Sequence, residues 1–192
     1  SFVSVIDNVR GAPTVARLVE GVGGASAGVT VRDGWLYTAN GFDFAKGGSM
    51  TGDVRAFDLA TITTGSAANF ETDGVLVASA LSGNSLGFDG FGNMLVGGGD
   101  FANPSEFGFQ ALIDGAAIFD ALGGLGAAGD ADELRLSPAG ESTYSALYND
   151  ATGEVLVWAF GDGVVYRYAI PAPGGVVLLG GALGAAWRRR RG

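Results

Sequence analysis

Short apolar runs alternate with glycine, aspartate and asparagine along most of the chain, and no long amphipathic helical period appears before Ala169. Such punctuation predicts strands joined by turns. Val29 to Val31 and Trp35 to Thr38 flank Arg32-Asp33-Gly34, which reads as a tight hairpin, because Asp-Gly accepts the positive φ that matches strand twist. Leu86 to Phe88 and Met94 to Val96 flank Asp89-Gly90-Phe91-Gly92-Asn93. Tyr144 to Tyr148 and Val155 to Trp158 flank Asn149-Asp150-Ala151-Thr152-Gly153-Glu154. The opening residues Phe2 to Ile6 also read as a strand.

The three hairpins look like copies of one unit. Leu36, Leu95 and Leu156 align at intervals of 59 and 61 residues. Each hairpin is followed by a run opening on glycine that reads as a third strand: Gly52 to Asp58, Gly115 to Asp120 and Gly163 to Tyr168. Phe57-Asp58 recurs as Phe119-Asp120, and Gly74 to Ala80 and Glu133 to Leu136 supply fourth strands. The expected fold is therefore all-β, with propeller-like repeats of four-stranded antiparallel blades over about 28–80, 85–136 and 143–168. The loop 42–51 absorbs a period longer than usual for a blade. Closure takes at least about four blades, so three readable units imply a propeller truncated at the N-terminus. The competing arrangement is a β-sandwich or meander. The chain starts at Ser1 with neither an initiator Met nor a basic, apolar leader, and the expectation is the downstream part of a longer product.

Composition changes this picture in two ways. Glycine is abundant, at 35 of 192 residues, with no triplet period, which suits turns rather than collagen. The net charge is −9, and four of the eleven basic residues are Arg188, Arg189, Arg190 and Arg191, so the rest is more acidic still. Nucleic-acid binding, which needs basic clusters against phosphate, is a poor fit. The chain has no Cys and no His. Thiolate chemistry, a Ser-His-Asp triad and ordinary zinc sites are thus excluded within it, which weighs against an enzyme.

The C-terminal 24 residues read differently from the body. Ala169 to Trp187 is 19 residues without a charge, followed at once by the four arginines. As a helix it would span roughly 28 Å, near the hydrocarbon thickness; Pro171 and Pro173 leave about 21 Å of helix over 174–187. Arginine clusters stay cytoplasmic, so everything before Ile170 is placed outside. A proline motif, a Gly/Ala/Leu-rich stretch and a terminal arginine cluster together resemble the PEP-CTERM sorting signal of Gram-negative bacteria. The resemblance covers Ile170, Pro171, Ala172 and Pro173 through Gly192, with Ala172 where the motif has glutamate. It implies an exosortase as partner, membrane contact through a hydrophobic helix over 174–187, and export to the cell envelope or extracellular matrix, often beside extracellular polysaccharide. The body is loosely similar to extracellular β-propeller repeats.

Candidate chemistry within the body is thin. Asp130, Asp132 and Glu133, and separately Asn149, Asp150 and Glu154, are weak calcium candidates lacking EF-hand spacing, and polar turns are the simpler reading. Asp43 and Asp100, among Phe42, Phe44 and Phe101, are a conceivable acid–base pair. Gly97-Gly98-Gly99 lacks the Lys-Ser/Thr of a phosphate loop. Trp35, Tyr37 and Trp158 occupy strand positions where burial is the default. The functional expectation is an exported, non-enzymatic surface or matrix protein that binds polysaccharide or protein. The alternative is an exported carbohydrate-active hydrolase or lyase on a β-propeller.

Overall fold

The computed structural model describes residues 1–24, 28–41, 52–80, 83–98, 109–129, 132–136, 143–159 and 163–170. They form four small sheets taken in chain order. The first holds β1 (Phe2–Asp7), β2 (Thr14–Glu20) and the short β6 (Ala68–Asn69), with β6 parallel to β2. The second is an antiparallel run of β3 (Val29–Arg32), β4 (Trp35–Ala39), β5 (Gly52–Asp58) and β7 (Val75–Ala80). The third runs β8 (Ser85–Phe88), β9 (Met94–Gly98), β10 (Phe109–Ile113) and β11 (Glu133–Arg135). The fourth holds β12 (Thr143–Asn149), β13 (Glu154–Ala159) and β14 (Val164–Ala169).

The three hairpins form where the alternation of apolar and turn residues puts them. Arg32 pairs with Trp35, leaving Asp33 and Gly34 as a two-residue turn with φ of 49° and 82°. Positive φ at both positions is what the twist of the flanking strands requires, and Gly34 adopts it without a Cβ clash. Phe88 pairs with Met94 and Asn149 with Glu154 across the longer turns. β1 folds back on β2 rather than joining any of the three hairpin sheets.

Side-chain alternation along each strand builds three apolar cores, one between each successive pair of sheets. Leu36 and Phe57 on one face of the second sheet meet Val19 of the first. Tyr37, Val54 and Ala56 on its other face meet Met94, Val96 and Ala111 of the third. The opposite face of the third sheet gives Leu95 and Leu112 to a core with Val155 and Val157 of the fourth. The leading strands are neighbours: β3 lies against β8, and β8 against β12. Both inner sheets are thus covered on two faces, and β4 and β9 are buried along nearly their whole length for that reason, with Thr38, the polar residue of β4, donating its hydroxyl to the Gly28 carbonyl.

One element departs from the repeat pattern. Gly115 to Asp120, expected as a strand, opens α2 (Gly115–Leu122). Asp114 caps it, its carboxylate accepting the Ala116 amide at 2.8 Å. Alanines favour the helix, Ile118 and Ala121 turn one face to the core, and the Gly123 amide bonds back to the Phe119 carbonyl at the end. The true third strand is β10, so Phe57-Asp58 and Phe119-Asp120 are not equivalent: Phe57 is buried, whereas Phe119 is exposed. α2 packs on β7, and the Ala128 amide donates to the Val77 carbonyl, tying the third sheet to the second. A second short helix, α1 (Phe70–Asp73), is capped by Asn69.

β14 runs to Ala169, and Ile170 is buried in the third core, so the packed body extends through Ile170. Of the expected sorting segment, Ile170 to Gly192, Ile170 alone is described and it packs in the third core; the remainder, with the expected hydrophobic helix over 174–187, lies outside the described residues. Among the described residues no helix is long and apolar enough to cross a membrane.

Candidate functional site

The tight β3–β4 turn puts Arg32 and Trp35 side by side at one end of the second sheet. Arg32 reaches across to the third sheet. Its Nη1 donates to the Asp89 carbonyl at 2.9 Å, its Nε to Asp33 Oδ2 at 3.2 Å, and its guanidinium lies over the Phe88 ring, 5.0 Å from the centroid. The ring of Phe88 meets that of Tyr37 edge-on at 5.0 Å.

The anchor for that reach is a buried turn. Asp89 is 2% exposed, and burying a carboxylate is costly unless its lone pairs are filled. Here Oδ1 accepts the amides of Phe91 at 2.8 Å and Asn93 at 2.9 Å, and Oδ2 accepts the Asn93 side chain at 2.7 Å. Asn93 in turn accepts the Gly115 amide at 2.9 Å. Position 115 tolerates only glycine, because a Cβ there would lie 2.6 Å from the Gly92 carbonyl oxygen. Arg32, Asp89, Asn93 and Gly115 thus form one polar chain linking the β3–β4 hairpin, the β8–β9 turn and the start of α2.

Above this frame opens a cleft of about 530 Å³ between the two inner sheets and α2, within the usual size of small-molecule sites. Trp35, Tyr37, Phe88, Ile118, Phe119 and Leu122 wall it, and Arg32 and Asp33 supply charge. Arg32 and Phe88 also line a neighbouring hollow of about 390 Å³ that reaches Gly90 and Asp150, so residues of all three hairpins meet at this end of the molecule.

Tyr37 is the unusual group in the lining. It is 3% exposed, and its hydroxyl forms no hydrogen bond among the described residues. Burial, with the charge of Asp33 adding and that of Arg32 opposing, pushes its phenol above the ordinary value, so it stays a neutral donor. Asp33, with a side chain 85% exposed, is the one carboxylate in the lining and is paired with Arg32. The cleft therefore offers aromatic surface, a phenol with no partner among the described residues, and a balanced ion pair. It has the means to hold a ligand, and among its described lining residues Asp33 is the one carboxylate.

The residues singled out from sequence fall elsewhere. Asp132 accepts the Gly129 amide at 3.0 Å, a turn role, while Asp130 and the side chain of Glu133 are outside the described residues. Asn149 accepts the Ala151 amide at 3.1 Å, and Glu154 is held by Arg167 at 2.8 and 2.6 Å. No group of three or more acidic residues poised for a metal ion occurs among the described residues. Asp43, Asp100, Phe42, Phe44 and Phe101 lie outside them. Gly97 and Gly98 are part of β9. Burial was the default for the three aromatics, but only Tyr37 is fully buried: Trp35 is half-buried at the cleft and Trp158 is 47% exposed on the fourth sheet. Arg32, Phe88, Asp89 and Asn93 read from sequence only as strand ends and turn residues. Their signal was the spacing of Asp89 and Asn93 around two glycines, a turn that closes on its own side chains. No protein-family model matches the chain, and no curated protein matches it.

Proposed function

We propose that the chain is an exported, non-enzymatic binding protein of a Gram-negative cell surface or extracellular matrix. The body is a propeller-like array of blades, and residues 171–192 are a PEP-CTERM-like address handed to an exosortase. Three features support the array: apart from the two-residue β6 the sheets follow chain order, they pack face to face through successive cores, and the leading strands β3, β8 and β12 are neighbours. The observation that carries the binding reading is the cleft itself, with aromatic walls and, among the described residues, a phenol without a hydrogen-bond partner and one ion-paired carboxylate. Support for the address is the charge-free run ending in Arg188 to Arg191, which would leave the arginines in the cytosol.

Truncation after Ile170 keeps the third core whole and removes only the address. Expressed behind a cleavable secretory leader in an exosortase-bearing host, the full chain is expected in the envelope or matrix fraction and the truncated chain free in the periplasm or medium. Identical fractionation of the two would remove the sorting reading.

A further inference from the structure

We propose that the cleft between the second and third sheets binds an uncharged sugar ring of a glycan, stacked on Trp35 and Phe119 and hydrogen-bonded through Tyr37 and Asp33. This rests on reading the cleft as a binding site and names its ligand class. Two demands of the lining select that class. The walls are mostly aromatic and aliphatic, so the ligand must present apolar C–H surface. The same space contains a phenol without a partner among the described residues and an exposed carboxylate, and a purely apolar ligand would cover both without supplying hydrogen bonds. A sugar ring meets both demands, with C–H groups on its faces and hydroxyls around its rim. Its hydroxyls donate to Asp33 and accept from Tyr37 at once.

Charge narrows the choice further. Arg32, the cation among the described lining residues, is already paired with Asp33 and held by the Asp89 carbonyl and the Phe88 ring, so an anion would meet a charge that Asp33 balances. The chain as a whole carries −9, which disfavours uronate-rich or phosphorylated polymers. The neighbouring hollow shares Arg32 and Phe88 and runs to Asp150, giving adjoining space for a next residue of the same glycan. Phe119 is 75% exposed on α2, as a stacking surface at the mouth of a cleft must be.

The test uses the full chain carrying Trp158→Phe and Trp187→Phe, which leaves Trp35 as the single remaining tryptophan of three. Cellohexaose, xylohexaose and mannohexaose are the neutral probes, with an alginate hexamer as the anionic one and a leucine- and phenylalanine-rich neutral peptide as the apolar one. The expected result is a saturable shift of Trp35 emission with at least one neutral hexasaccharide at or below about 10 mM, the weak end of specific binding. Tyr37→Phe should weaken it roughly 5- to 10-fold, as loss of one hydrogen bond does. By calorimetry on the native-tryptophan chain, Phe119→Ser should weaken it by at least about tenfold, with unchanged thermal unfolding showing that each variant is folded. Silence toward all three neutral probes, tighter binding of alginate or the peptide, or a shift indifferent to both variants would overturn the sugar assignment while leaving export untouched. Shortening of a bound hexasaccharide, seen by chromatography, would uphold the sugar assignment and instead remove the non-enzymatic reading.

Discussion

The two inner sheets and the fourth sheet are made of similar hairpins, yet their central strands live in different surroundings. β9 is buried on both faces, with Met94 and Val96 in one core and Leu95 in another. β13 gives Val155 and Val157 to a core, while Trp158 beside them is exposed, along with Leu147 on β12 and Val165 on β14. Burial on two faces makes a rigid frame, whereas burial on one leaves a sheet that opens at lower cost. The cleft sits on the frame. Its walls come from the second and third sheets and α2, and its polar brace runs between them.

Substitutions sharpen or break this contrast. Met94→Ala empties space in the central core and should cost about 2–5 kcal/mol in chemical denaturation; a cost below 1 kcal/mol would mean the inner sheets are loosely packed. Asp89→Ala leaves two part-buried amides and the Asn93 side chain without their acceptor, for a loss of about 2–3 kcal/mol by the same assay and weaker ligand binding at the cleft through the displaced Arg32. Gly34→Ala should cost about 1–2 kcal/mol in thermal unfolding, because its φ of 82° is one that L side chains rarely adopt.

Tyr37→Phe is expected to change stability little near neutral pH, because no described residue hydrogen-bonds to the hydroxyl. A difference appears in alkali. The folded-state phenol is raised above its unfolded value, so its contribution is complete below pH of about 10 and is lost as pH climbs through the folded value. Wild type should lose stability over that window, and Tyr37→Phe should be spared that part when both are unfolded at a series of pH values. Smallest of all is Leu147→Ser on the outer face, within about 0.5 kcal/mol by denaturation.

The sequence made the hairpins readable because their information is local. Asp33-Gly34, Asp89-Gly90 and Gly153 mark turns, and the apolar runs beside them pair as neighbours. α2 was misread since Gly115-Ala116-Ala117-Ile118-Phe119-Asp120 resembles Gly52 to Asp58 in outline, and a short apolar run does not reveal its period. The deciding signs were Asp114 ahead of it and Gly123-Gly124 behind, a cap and a stop. β2 escaped notice since Thr14 to Glu20 mixes charge into its alternation, as an outer sheet permits. The cleft was the least legible part. Arg32 meets Asp89 and Phe88 only after two sheets pack, 57 residues apart in the case of Asp89, and no local pattern reports such a meeting.

Native-state amide hydrogen exchange compares the frame and the outer sheet in a single sample. Protection should be greatest in β4 and β9, extend to the Asn93 and Gly115 amides that brace the cleft, and be lower across β13 and β14. Equal or greater protection in β13 and β14, or rapid exchange at Asn93 and Gly115, would mean that the inner sheets are not the rigid part and that the cleft has no preformed shape to offer a ligand.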